Sequence, residues 1–131
     1  EGRLFAIRFH SRRAQVTGSI PMISAASGRG AMPGIVGLAA VNGAIERVVS
    51  PLATELAPVR VNAVAPGAID TAWWSFLDDA TKRDQFAAMA EAVPLKATGQ
   101  PEHVAHAVRY LIGATFVTGT ILPVDGGFTL A

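Results

Sequence analysis

Apolar and polar positions along the chain predict strands that alternate with helices. Gly18–Ser24 and Val59–Val64 are short apolar runs between breaking residues, a pattern typical of buried strands. Thr120–Val124 is a third such run and is closed by the turn residues 125–127. Pro21 counts against a central position for the first strand, because proline cannot donate to a hydrogen-bond ladder.

Helical periodicity separates these runs. Ile35–Leu56 predicts a long helix, in which Pro51 is expected to cause a kink because it removes an N–H group. Ala72–Ala92 and Pro101–Ile112 predict two more helices, the second with proline in its first turn. Leu4–Phe9 predicts a helix that opens without a capping residue, so we expect further residues upstream of it.

The alternation of helices and strands predicts an α/β fold. Strands joined by helices pair in parallel through right-handed crossovers. Parallel sheets are normally covered on both faces and continue into further strands. We therefore expect about three parallel strands, flanked by helices, that form one side of a larger sheet.

Composition narrows the class of protein. The 131 residues fit one domain, and 16% of them are charged, below the about 25% that is typical of soluble domains. Such an apolar chain is expected to bury more than one surface. The net charge of +1 argues against a nucleic-acid partner. No apolar run reaches the roughly 18 residues of a membrane helix, so we expect no membrane partner and a cytoplasmic location.

The side chains that bind metals or form disulfides are sparse. The chain has no cysteine, which excludes disulfide and thiolate chemistry. His103 and His106 stand three residues apart, but no carboxylate-rich motif accompanies them. We expect no metal site.

Four segments together resemble the short-chain dehydrogenase/reductase family. In chain order they read GSIPMIS, RVNAVAPGAIDT, PLKATGQPEHVAHAVRYL and VTGTILPVDGG. They are similar to the family's serine-bearing strand, its cofactor-facing strand and turn, the start of a later helix, and the closing strand. The resemblance implies a doubly wound Rossmann-type sheet, of which residues 1–131 would be the C-terminal half. The glycine-rich turn that holds the cofactor pyrophosphate would then lie upstream.

The resemblance also implies hydride transfer between NAD or NADP and a carbonyl or alcohol group of a small molecule. In the family a tyrosine exchanges the proton, a lysine four residues later lowers the tyrosine pKa and holds the ribose, and a serine contacts the substrate oxygen. Here Leu38 stands at the tyrosine position and Asn42 at the lysine position. The stretch AAVNGAIE resembles an atypical subgroup that also lacks this pair, and we expect the 131-residue chain alone to be inactive.

Several residues match the family's site positions. Ser24 is the expected catalytic serine, with Ser27 as the alternate substrate contact; Ser24 could instead merely end its strand. Asn42 can hydrogen-bond the sugar hydroxyls of the cofactor. The remaining cofactor-binding candidates lie in the turn after the second strand: Pro66, Gly67, Ile69 and Thr71.

Thr71 could alternatively cap the element that follows it. Trp73 and Trp74 come next, in a region that is a lid over the substrate in the family. They are expected to line an apolar substrate pocket, or else to serve as core or interface anchors. Backbone hydrogen bonds are expected for Asn62, and a solvated or paired position for Arg60.

The resemblance, and the residues that depart from it, leave two candidate functions. The first is an NAD(P)-dependent oxidoreductase of the family. The second is a non-catalytic binding or assembly module, favoured by Leu38 and Asn42. In both cases the resemblance implies a homo-oligomer, a dimer or a tetramer, for which twofold symmetry is the commonest arrangement.

Overall fold

A computed structural model describes residues 18–130, and the helix predicted over Leu4–Phe9 lies outside them. Its strands are β1 (Ser19–Ile23), β2 (Arg60–Pro66) and β3 (Ile121–Val124). They form one sheet in the order β1-β2-β3, and both pairings are parallel. The predicted parallel α/β sheet is therefore confirmed.

Three helices flank this sheet. They are α1 (Val36–Glu55), α2 (Asp79–Ala92) and α3 (Pro101–Gly113), and short 3-10 helices cover Ala26–Gly28, Ala72–Phe76 and Phe128–Leu130. Helix α1 runs unbroken through Pro51, whose expected kink stays a prediction. Among residues 18–130, no helix has the length and apolar character needed to cross a membrane.

The core is built around β2, in which residues 61–65 are all buried. Val61 and Ala63 pack with Val49 of α1. Because successive side chains of a strand point to opposite faces, Asn62 and its alternate neighbours face the other layer, where α3 lies. Helices thus cover both faces of β2, as a doubly wound sheet requires.

The helix predicted over Ala72–Ala92 is wrong as a single element. A 3-10 helix ends at Phe76, Leu77 is extended, and α2 begins at Asp79. Asp78 causes the break, because its carboxylate accepts the N–H groups of residues 80 and 81 at 3.0 and 2.9 Å and so caps α2. The hydrogen bond from the Thr81 backbone is the largest cause of a lowered Asp78 pKa.

Two polar side chains of β2 hold the segment that joins α3 to β3. Asn62 is fully buried; its Nδ2 donates to the Val117 carbonyl at 2.9 Å, and its Oδ1 accepts the Thr120 N–H at 3.1 Å. The Arg60 guanidinium donates at 2.8 Å to the carbonyls of Leu111, Ile112 and Ala114, at the end of α3. The backbone bonds expected of Asn62 and the paired position of Arg60 are both confirmed.

Removing the Arg60 guanidinium should therefore loosen α3. We expect Arg60→Met, which keeps the apolar stem, to lower the free energy of unfolding by about 2 kcal/mol, since hydrogen bonds from charged groups contribute about 1.5–3 kcal/mol. Urea unfolding followed by circular dichroism measures the change. Arg83→Met is the control, because the Arg83 side chain is 75% exposed and its loss should change stability by less than about 0.5 kcal/mol. Equal effects of the two variants would contradict the role given to Arg60.

Candidate functional site

The carboxyl ends of the three strands meet at one edge of the sheet. Ser24 follows β1, Gly67 follows β2 and Asp125 follows β3. Open parallel sheets bind ligands in the crevice outside this edge. The side chains at the edge are therefore the candidate site.

The turns after β2 and β3 pack directly against each other. The Gly67 N–H donates to the Val124 carbonyl at 3.0 Å. A Cβ atom at residue 67 would lie 2.8 Å from the Asp125 Cα, closer than real Cβ atoms approach. Glycine is required at residue 67 by this close approach.

Asp125 fixes the final turn. Its carboxylate accepts the Gly127 N–H at 2.9 Å, the Thr129 N–H at 3.0 Å and the Thr129 hydroxyl at 2.7 Å. Burial raises the pKa of Asp125, but these hydrogen bonds and the charge of Arg29 outweigh it, so the pKa lies below its ordinary value. Asp125 is thus an ionised anchor of the edge.

Ser24 lies at the end of β1 and is 6% exposed. Its hydroxyl donates to Glu46 Oε1 at 2.9 Å, and the other oxygen of Glu46 pairs with Arg29 Nε at 3.0 Å. The Ser24 N–H donates to the Val64 carbonyl at 2.9 Å. These contacts favour the structural alternative for Ser24, and its catalytic role stays a prediction.

Ser27 and Asn42, assigned separately to substrate and cofactor, lie together. Asn42 Nδ2 donates to Ser27 Oγ at 3.1 Å and to the Leu38 carbonyl at 2.9 Å. A Cβ atom on Gly28 would lie 3.0 Å from the α1 backbone at residues 42 and 43. Because of this close approach, the 3-10 helix after β1 sits on α1 and brings Ser27 to Asn42.

The turn over residues 66–71 is held by a parallel bridge between Ile69 and Gly99. The Gly99 N–H donates to the carbonyl of the residue before Ile69 at 2.8 Å, and the N–H of the residue after Ile69 donates to the Gly99 carbonyl at 3.0 Å. The N–H and C=O groups of Ile69 therefore point away from Gly99. The Ile69 carbonyl accepts the indole N–H of Trp74 at 2.9 Å, a contact that sequence reasoning missed.

Thr71 caps the 3-10 helix that follows, as its alternative role predicts. Its side-chain oxygen accepts the Trp73 N–H at 3.3 Å, which leaves the hydroxyl hydrogen able to donate. Trp73 is 68% exposed, whereas Trp74 is half-buried and meets the Phe86 ring edge-on at 5.3 Å. The two tryptophans thus have different surroundings.

An open depression of about 680 Å³ adjoins the turn. Thr71 and Trp74 line it, together with Gln100 at the start of α3. Lys82 and Asp70, which also line it, form an ion pair of 2.6 Å. Among the described residues, no cluster of three potential metal-binding side chains occurs.

The lowered pKa of Asp125 predicts how its contribution to stability depends on pH. A carboxylate with a lowered folded-state pKa stabilises the fold above its unfolded pKa of about 3.9, and this stabilisation is lost as pH falls through the folded value. We expect Asp125→Asn to lower the free energy of unfolding by about 1–2 kcal/mol at pH 7. The Asn amide NH2 group would replace one accepting oxygen and would face an N–H or O–H donor. Urea unfolding from pH 7 to pH 2 should show the two proteins converging in acid.

The control for this series is Asp84→Asn, since the Asp84 side chain is 82% exposed and its carboxylate lies 4.0 Å from Arg83 Nε. It should follow the parent chain at every pH. A deficit of Asp125→Asn that stays constant down to pH 2 would contradict the assignment.

Comparison with known proteins connects this edge to a family. A family model described as enoyl-(acyl carrier protein) reductase matches residues 3–129. Glucose 1-dehydrogenase of Gluconobacter oxydans is 41% identical over 103 residues, which are 75% of this chain and 38% of that protein. The 3-oxoacyl-[acyl-carrier-protein] reductase FabG of Chlamydia trachomatis is 36% identical over 115 residues, 85% of this chain and 45% of that protein.

Solved structures of dehydrogenases have a similar fold. A small-chain dehydrogenase crystallised in complex with NADPH has a TM-score of 0.84 and 32% identity, over 87% of this chain and 52% of that one. The aldohexose dehydrogenase of Thermoplasma acidophilum has a TM-score of 0.77 and 28% identity, over 86% of this chain and 48% of that one. The chain spans about half the length, or less, of the relatives it matches. Together with the parallel sheet and its carboxyl edge, these matches show that the chain belongs to the short-chain dehydrogenase/reductase family.

Proposed function

We propose that the intact protein is an NAD(P)-dependent oxidoreductase acting on a carbonyl or alcohol group of a small molecule. This chain supplies the C-terminal half of its Rossmann-type domain. The observation that carries the proposal is the turn over residues 66–71, which leaves β2 at the ligand-binding edge with the polar backbone groups of Ile69 turned away from Gly99. Relatives named as dehydrogenases and reductases, one of them crystallised with NADPH, support it.

The residues at the edge fit the nicotinamide side of such a cofactor. The Ile69 N–H can donate to an amide oxygen, whereas the Ile69 carbonyl already accepts from Trp74. Thr71 has a hydroxyl hydrogen to donate to an amide or phosphate oxygen. Pro66 and Gly67 shape the turn, and Asn42 Oδ1 can accept from a sugar hydroxyl. When bound, the cofactor supplies the hydride exchange, while the glycine-rich turn for its pyrophosphate belongs to the family's other half.

In this proposal, the residues of this chain bind and orient the cofactor and the substrate through neutral groups. Leu38, at the position of the family's tyrosine, has an apolar side chain that is 50% exposed. Between Ser24 and Glu46 the ionisable residues are Arg29 and Glu46, and these two pair with each other. The lid assignment of Trp73 and Trp74 belongs to this proposal, since Trp74 lines the depression beside the turn.

A non-catalytic binding or assembly module is the second candidate. It is favoured by the neutral side chains at the tyrosine and lysine positions and by apolar residues exposed along α1. Val36 is 80%, Val41 63% and Val48 42% exposed. Burial of these exposed residues against a second copy fits a homo-oligomer, a dimer or tetramer, in either candidate.

Cofactor binding tests the first candidate directly. The intact mass of the protein in its source cells establishes the full chain, and NADH and NADPH are then titrated while tryptophan fluorescence is followed. We expect quenching, because Trp74 contacts the proposed nicotinamide turn. Thr71→Val should weaken binding about tenfold by removing one hydrogen bond, whereas Thr71→Ser keeps the hydroxyl and should bind like the parent. No binding of either nucleotide by the full-length form would favour the non-catalytic module.

The 131 residues alone should show no dehydrogenase turnover. The family's pyrophosphate-binding turn is not part of the matched C-terminal half, so the nucleotide would lose much of its binding surface. Absorbance at the NAD(P)H maximum, followed with a panel of aldehydes, ketones and alcohols, measures turnover. Measurable consumption of NAD(P)H by this chain would overturn the expectation.

A further inference from the structure

The two candidate serines differ in whether the hydroxyl hydrogen is already used in a hydrogen bond within the protein. Ser24 directs its hydroxyl hydrogen at Glu46, a carboxylate that only accepts and that Arg29 also holds. Its side chain is buried. A substrate oxygen that needs a donor would have to displace this charge-assisted hydrogen bond.

Ser27 accepts a side-chain hydrogen bond, whereas Ser24 donates one. The Ser27 oxygen accepts from Asn42 Nδ2 at 3.1 Å, so its hydroxyl hydrogen is not used in that bond. The second amide hydrogen of Asn42 is available to the Leu38 carbonyl, one helical turn earlier at 2.9 Å. With its amide group held from two sides, Asn42 fixes the direction in which Ser27 can donate.

The pair also lies near the carboxyl edge of the sheet, where open parallel sheets bind ligands. Ser27 belongs to the 3-10 helix that leaves the carboxyl end of β1, next to the strand that ends in the Pro66 turn. Ser27 is half-buried, so its side chain is partly accessible to solvent, and its hydroxyl hydrogen is not used in the bond with Asn42. The Ser27–Asn42 pair therefore offers a donor at the ligand-binding edge.

We propose that Ser27, rather than Ser24, is the hydroxyl that hydrogen-bonds the reacting oxygen, and that Asn42 is its positioning residue. The proposal rests on the oxidoreductase function and names the substrate atom: a carbonyl oxygen, which can accept from Ser27. Ser27 donates a hydrogen bond and keeps its proton. Asn42, at the position of the family's lysine, orients Ser27 without a charge.

Steady-state kinetics of the full-length protein with NADPH and acetoacetyl-coenzyme A test this assignment. Ser27→Ala should lower kcat/KM about 100-fold, as loss of one donor to a reacting oxygen does, and Ser27→Thr should restore it. Asn42→Asp should lower it comparably, because the carboxylate would accept the Ser27 hydroxyl hydrogen. Ser50→Ala, on an exposed position of α1, is the matched control with parent activity. A larger loss in Ser24→Ala than in Ser27→Ala would overturn the proposal.

A second measurement does not depend on turnover. Residues 1–131 contain two asparagines, Asn42 and the buried Asn62. In the full-length protein, NMR can follow the Asn42 side-chain amide signal, which is assigned by its loss in Asn42→Asp, while acetone, the simplest ketone, is added. We expect a saturable shift of the Asn42 amide in the parent and in Ser24→Ala, its loss in Ser27→Ala, and a constant Asn62 signal. An Asn42 amide that does not respond in the parent contradicts the proposal. A response without any NADPH binding leaves the Ser27 contact standing and rejects the oxidoreductase function instead.

Discussion

The amide of Asn62 is the polar contact on which the geometry of the site depends. It is buried within the central strand and bonds the backbone at Val117 and Thr120, just before β3. Leaving such a group unsatisfied would cost about 1–3 kcal/mol, so the segment before β3 is held where both bonds can form. Arg60 adds bonds from the same strand to the end of α3. A strand of only four residues thereby obtains a fixed register against β2.

That register determines which groups meet at the carboxyl edge. Asp125 follows β3 at the level of Gly67, and the two backbones touch because residue 67 has no side chain. The turn beyond Gly67 then runs to the bridge between Ile69 and Gly99. In the function we propose, this turn, the Thr71 hydroxyl and the Ser27–Asn42 pair contact ligands through neutral groups.

Much of this fold could be predicted from local patterns. Apolar runs between breaking residues located the three strands, and Pro21 indicated an edge, which β1 is within the described sheet. The break before α2 was missed because the apolar residues around Trp73 continue the helical pattern, while the cap at Asp78 is a single polar side chain. Asp followed by good helix formers was the available signal.

The site was less predictable because its contacts join distant residues. The positions of Ser24 and Glu46 carried the only local hint, since the stretch between them contains one cation and ends in one anion. Pattern alone could not show that Ser24 donates to Glu46 across 22 residues, or that Ser27 accepts from Asn42. Such pairings depend on the close approach of Gly28 to α1, a tertiary contact.

Hydrogen exchange of the full-length protein with and without NADPH tests the central claim most directly. The account predicts that NADPH slows exchange of backbone amides in residues 67–71, which leave the central strand at the ligand-binding edge. The amides around Arg60, at the opposite end of that strand, should exchange as before. Slower exchange near Arg60 with no change over residues 67–71 would contradict the account.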